Sequence, residues 1–212
     1  INYGRALSYG RHFLALEGLS LDDIAKQQKT KTGAVAYIDD HLSSNITSIE
    51  GAVYTAQALA SLINLQKGDM LLVSYLSVAK ALFDWACELD PNVGQGVCQL
   101  FYASYESSRP RILGGNPAKG QKIFKKFIED NPHHWLGRVA YLEHYVIPMG
   151  NDNAYRLEKK KLNIFRDEHI SNLKKSLRED KRPAFQNKRL RIYQATAIKR
   201  FETIKKLEKD LF

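Results

Sequence analysis

The chain has 212 residues, 44% hydrophobic and 26% charged, with six prolines, thirteen glycines and two cysteines. It is long enough to bury one sizeable core or two small ones without staples, which excludes a disulfide-dense scaffold. Its formal charge of +9 admits nucleic acid, anionic lipid or an acidic protein as a partner without choosing among them.

Apolar residues recur at three- and four-residue steps over 3–17 and 21–41 and predict two helices. The second is imperfect, because it contains Gly33 and the polar run KQQKTKT over 26–32. Ile46, Ile49, Val53, Ala56, Leu59, Ala60 and Ile63 form a stripe that predicts a helix over 46–65, ended by Lys67–Gly68. Asp69 is placed to cap the next helix, over 69–89, which puts Leu72, Leu76, Ala79, Phe83 and Ala86 on one side. That helix stops at Asp90–Pro91, since proline disfavours helical geometry in the residue before it. Another helix is expected over 93–107. A shaped loop follows from Arg109 to Pro117, then a helix over 118–129 closed by Asn131–Pro132. Three more are expected over 133–147, 152–177 and 184–211, broken at Pro148–Asn151 and around Pro183.

About nine helices joined by short loops predict an all-α fold of tetratricopeptide-like antiparallel hairpins. The expected organisation is a single helical-repeat domain over 1–212, with a repeat-like core over about 69–150 and basic C-terminal helices over 152–212. The repeat signal is Ala79, Phe83, Ala86 and Pro91, echoed by Gly120, Phe124, Phe127 and Pro132. Helix pairs approach closely only where one side chain is small, which is why small residues and a terminal proline recur in such repeats. The two prolines lie 41 positions apart, against 34 in the standard repeat. The loop from Arg109 to Pro117 accounts for the extra length, so the repeats are degenerate.

Known chemical signatures are incomplete. The run from Gly115 to Lys122 has the glycine spacing of a phosphate-binding loop but lacks the Lys-Ser/Thr pair and follows no strand. Asn116 is instead expected to cap a helix with Pro117 at its first position. Gly94–Gln95–Gly96 lacks the third glycine of a dinucleotide fingerprint. The histidines, His133–His134 and His144 among them, have no HExxH or i, i+4 pairing, so no metal and no cofactor is expected. No G-x-S-x-G elbow is present, and adjacent carboxylates such as Asp22–Asp23 and Asp39–Asp40 diverge on a helix. Nothing supplies a poised acid, base or nucleophile, so no enzyme is expected.

Trp85, Phe101, Tyr102, Tyr105, Trp135, Tyr141 and Tyr145 concentrate in the central helices. Most belong in a core. The remainder can line a groove, because small ligands are held by apolar walls with a few polar tips. Trp85, Tyr102, Tyr105 and Tyr141 are taken as ligand-binding candidates. Arg109 and Arg111 join them, since they flank Pro110 and can meet a carboxylate bidentately. Pro91, Pro110, Gly114, Gly115 and Asn116 are taken as structural loop residues.

The cationic excess lies after residue 155, in Lys159–Lys161, Lys174–Lys175, Lys181–Arg182, Lys188–Arg189 and Lys205–Lys206. Glu158, Asp167, Glu168, Glu179, Glu202 and Glu208 interleave with these cations and favour a solvated helix face. Cys87 and Cys98 flank Asp90–Pro91; were that the corner of a hairpin, the thiols could face each other, and an oxidising compartment would permit a bridge. The pairing stays open. No uninterrupted apolar run reaches the roughly 18 residues of a membrane span, so this part of the chain is expected to be soluble; it begins at Ile1 without a methionine, which leaves room for a removed signal peptide or lipobox.

The runs LSVAKALFDWACELDPNVGQG, FYASYESSRPRILGGNPAKGQKIFKKFIE and LRIYQATAIKRFETIKKLEKDLF, with VYTAQALASLINLQKGD upstream, resemble the TatT family. These are the T components of TRAP-type transport systems. The resemblance is close over about 50–212 and loose before that, and its most specific element is Pro110 with Gly114 and Gly115. It implies a periplasmic, lipid-anchored, non-enzymatic helical protein. Such a protein docks a TRAP solute-binding P subunit and helps handle a small apolar or acidic organic ligand. Self-association is compatible with repeat helices that leave an apolar face uncovered at one end. The alternative is an adaptor binding nucleic acid or an acidic protein through the basic C-terminal helices; nucleic acid is the less favoured partner.

Overall fold

The computed structural model describes residues 2–29, 33–173 and 181–208. Thr30–Thr32, Lys174–Lys175, Glu179 and the ends of the helices expected over 152–177 and 184–211 lie outside the described residues. All regular structure among the described residues is helical, with nine α-helices of at least seven residues. The chain divides into two compact units, Ile1–Cys98 and Gln99–Phe212.

The first unit holds α1 (Asn2–Leu16), α2 (Leu21–Lys26), α3 (Gly33–Asp39), α4 (Ile46–Leu65), α5 (Met70–Ser74) and α6 (Leu76–Leu89). Helix α4 packs between α1 and α6. It buries Ile49, Val53, Ala56, Leu59 and Ile63 of the stripe read in its sequence, with Ala52 added, while Ile46 at its first turn is exposed. Asn45 caps it by accepting the Ser48 amide at 2.9 Å. Two glycines let α1 and α4 approach. A Cβ at Gly10 would overlap the Thr55 side chain, and one at Gly51 would lie 2.7 Å from the Phe13 ring. The region 21–41 is two short helices linked by a 3₁₀ turn over Gln27–Lys29, rather than one imperfect helix.

The helix expected over 69–89 is likewise two, broken at Tyr75, whose ψ of 0° leaves the helical range and whose hydroxyl donates to Asp22. Asp69 caps the first piece, accepting the Leu72 amide at 3.0 Å. By length and composition, Met70–Leu89 is apolar enough to cross a membrane. Its second half is a core helix, with Val78, Ala79, Leu82, Phe83, Trp85 and Ala86 buried. Asp90 then takes an extended backbone ahead of Pro91. Three consecutive residues, Gly94, Gln95 and Gly96, adopt positive φ. Cys87 and Cys98 close this corner as a disulfide, which settles the open pairing.

The second unit begins within α7 (Val97–Ser108) and continues with α8 (Pro117–Asp130), α9 (Trp135–Tyr141), α10 (Asp152–Leu173), α11 (Pro183–Gln186) and α12 (Lys188–Lys206). Helix α9 runs into a π-helical turn over Leu142–Val146. It packs against α8, α10 and α12. Trp135 anchors that core, stacked at 5.0 Å on Phe165 with the edge of Phe185 at 5.7 Å. Gly137 admits the Phe127 ring from α8, since a Cβ there would lie 2.5 Å from it. Both repeat copies are buried as their spacing suggests: Ala79, Phe83 and Ala86 in α6, and Gly120, Phe124 and Phe127 in α8.

Two polar features bind the helices of this unit. Arg138 donates to Glu158 at 2.8 Å, with both side chains nearly buried. Gln194, fully buried, donates to the carbonyls of His133 and Ala184. His134 is 4% exposed, stacks on Tyr193 and meets Phe127 edge-on. Neither of its ring nitrogens has a hydrogen-bond partner. Burial pushes its pKa down from 6.5 to about 4.

Two outcomes follow from these contacts. The disulfide closes a loop with a sequence separation of 11. Removing it as Cys87→Ala/Cys98→Ala is expected to cost about 3 kcal/mol in urea unfolding; an unchanged midpoint would show that the bridge does not stabilise the fold. His134 is neutral when folded, so its contribution is complete above pH 6.5 and is lost as pH falls through 6.5 toward 4. Stability should drop by about 2 kcal/mol between pH 7 and 5 on its account. His134→Phe should show a correspondingly shallower acid dependence, and an identical one would refute the assignment.

Candidate functional site

The loop singled out in the sequence is built from its own residues. Leu113 and Gly115 amides donate to the Pro110 carbonyl at 2.9 and 3.1 Å, and Arg111 to Leu113 form one 3₁₀ turn. Gly114 ends that turn at φ +83°, where a side chain would be strained. At Gly115 a Cβ would collide with the Arg109 carbonyl. Asn116 receives the Lys119 amide at 3.0 Å and donates its own amide to Glu106 at 2.9 Å, with Pro117 opening α8. Five loop residues assigned from sequence thus have definite places: Pro91 after α6, and Pro110, Gly114, Gly115 and Asn116 here.

Arg109 is a strut of this loop. Its guanidinium lies 4.1 Å from the Tyr105 ring centroid, and it donates to the Tyr105 hydroxyl at 2.8 Å and to the Gly114 carbonyl at 2.7 Å. Arg111 is exposed. Tyr102 and Tyr105 are half-buried on α7 and pack around Phe101 at 5.4 and 5.6 Å. Tyr141 is buried, stacked on Tyr145 at 5.6 Å, and its hydroxyl accepts from Gln121 at 3.3 Å. The π-helical turn is tied to the end of α7 by Ser108 and His144, 3.0 Å apart. Within the second unit, α7, α8 and the π-helical turn therefore hold Tyr102, Tyr105, Tyr141 and Tyr145 on a fixed frame. Trp85 is elsewhere, in the core of the first unit, donating to Asp39 at 2.9 Å.

A shallow, mostly apolar groove between α7 and α8 is lined by Gln99, Ile123 and Phe127 and edged by Lys122, Lys126, Asp130 and Asn131. None of its residues was a ligand-binding candidate; Phe127 was expected in the repeat core and Asn131 at the end of the helix. The signal available was the phase of α8, where Phe124 and Phe127 turn inward and the lysines outward. The π-helical turn had no signal, since Leu142–Val146 contains neither proline nor glycine. Among the described residues, no group of three His, Cys, Asp or Glu side chains is placed to hold a metal.

The sequence matches a known family. The sequence profile of the TRAP transporter T-component matches residues 3–175. The chain belongs to the TRAP transporter T-component family. This is a transporter-associated family, not an enzyme family. The match takes in the first fifty residues, where the resemblance was loose, and ends before the terminal run beginning at Leu190. Helix α12 of this T component therefore lies beyond the profile, although Ala197, Ile198, Phe201 and Ile204 belong to the core. A comparison with curated proteins finds no match.

Arg109→Ala removes two hydrogen bonds and a cation–π contact, together holding the loop by about 1–3 kcal/mol. Trypsin should then cut after Arg111 about tenfold faster than in the wild type, with the melting temperature little changed. An unaltered cleavage rate would show that Arg109 does not hold the loop.

Proposed function

We propose that this T component is a non-enzymatic periplasmic adaptor that docks a TRAP solute-binding P subunit and helps handle a small apolar or acidic ligand. Family membership over residues 3–175 carries this reading. The Cys87–Cys98 disulfide supports an oxidising compartment, where such bridges persist. A lipid anchor upstream of Ile1 belongs to the same proposal. The half-buried tyrosines of α7 and the π-helical turn offer flat apolar surface with hydroxyl tips, and exposed Arg111 is free of the strut role that Arg109 fills.

The rival reading placed the partner on the basic C-terminal helices. Many of those cations meet carboxylates: Lys159 pairs with Glu208, Lys161 with Glu158, Arg166 with Asp167 and Glu202, and Lys205 with Glu202. Arg200 reaches Glu143 beside the π-helical turn. That pattern supports a solvated, internally matched face over a polyanion site.

The test is to isolate the tagged protein from its native envelope fraction at moderate salt and identify what accompanies it. A solute-binding P subunit is the expected companion. Salt-sensitive nucleic acid without such a subunit, released by neutralising Lys159, Lys160 and Lys161, would overturn the proposal.

A further inference from the structure

Between Ser107 and Ile128 the chain carries six cations, Arg109, Arg111, Lys119, Lys122, Lys125 and Lys126, and no carboxylate. The four lysines of α8 are all exposed. At 100° per residue they occupy one arc of the helix, opposite the buried Gly120, Phe124 and Phe127. Two of them have carboxylate partners: Lys119 meets the largely buried Glu106, which also lies 3.9 Å from Arg109, and Lys126 meets Asp130, whereas among the described residues Lys122 and Lys125 make no ion pair. At the N-terminal end of this stripe stands the loop held by Arg109, and its tip is apolar: Ile112 is 93% exposed and Leu113 60%. Single exposed aliphatic residues are ordinary. A pair presented on a hydrogen-bonded turn, next to a row of exposed lysines that outnumber their carboxylate partners, is a different arrangement.

We propose that residues 109–128 form a docking surface for an anionic lipid bilayer, with Ile112 and Leu113 entering the interface and the α8 lysines lying against the headgroups. The charge complement comes with the occupant, since anionic headgroups attract basic segments and the acyl boundary beneath them accepts apolar side chains. Nucleic acid would answer the lysines but leave Ile112 and Leu113 in water. The loop needs no folding on contact, because its internal hydrogen bonds already fix the tip. This surface stands on its own residues and does not rest on the transport reading.

The experiment is co-sedimentation of the purified full chain with vesicles of phosphatidylcholine containing one-third phosphatidylglycerol, and with phosphatidylcholine alone. Binding is expected only to the anionic vesicles. Ile112→Ser/Leu113→Ser should weaken it by roughly tenfold or more. Lys122→Glu/Lys125→Glu should weaken it by at least about twenty-five-fold, roughly fivefold for each cation lost with the repulsion of two new carboxylates added. The control Lys188→Glu/Arg189→Glu, an equal change of charge on exposed residues of α12, should bind as the wild type. Melting temperatures equal to wild type tie a loss to contact rather than unfolding. Three results overturn the proposal: no sedimentation with anionic vesicles, equal binding to neutral ones, or equal loss in the control.

Discussion

Helix α8 lies on α7 so closely that a Cβ at Gly120 would overlap Ser107 Oγ and stand 2.7 Å from the Ala103 carbonyl. The obstacle is backbone, which cannot swing aside as a flexible side chain can. With the helices this close, the chain between Ser108 and Pro117 must reverse in a small space, and the features of the loop follow. Gly115 sits where Arg109's carbonyl excludes a side chain, Gly114 takes the left-handed conformation, and the Asn116 amide returns to Glu106. The same device recurs where Gly137 takes the Phe127 ring and where Gly10 and Gly51 take Thr55 and Phe13. Small residues at helix crossings are the working part of the degenerate repeat.

A loop held this firmly has little freedom to hide its tip. Arg109 spends its guanidinium on Tyr105 and Gly114, so the charge that looked available to a ligand is structural, while Arg111, Ile112 and Leu113 are left to solvent. The division of labour between two arginines two residues apart is set by backbone direction: one turns back along α7, the other leaves the turn. Beneath them, the π-helical turn places His144 against Ser108 and Glu143 against Arg200, joining α7 and α12 through one irregular element.

The charge asymmetry of the sequence is distributed unevenly by the fold. Along α10 and α12 the carboxylates interleaved with the cations become their partners, and the field of that region is reduced accordingly. Along α8 no carboxylate is interleaved before Glu129; Lys119 and Lys126 find Glu106 and Asp130, and Lys122 and Lys125 stay exposed. Net charge alone does not distinguish these two regions.

The sequence by itself determined the helical class, the positions of most helices, the caps at Asp69 and Asn116 and the buried repeat residues, because these depend on local periodicity and on side chains bonding backbone within one turn. Its family resemblance was legible through Pro110, Gly114, Gly115 and the runs around them. Four things only the tertiary structure decided: the break at Tyr75, the π-helical turn, the Cys87–Cys98 pairing and the commitment of Arg109. Each depends on a partner distant in sequence or on backbone geometry that no local pattern encodes. Tyr75 answers to Asp22 and Arg109 to Gly114, and Trp85, an equal candidate among the aromatics by composition, is a core residue because Asp39 waits for its indole. Periodicity says which face of a helix turns inward; what it meets there is fixed only when the helices pack.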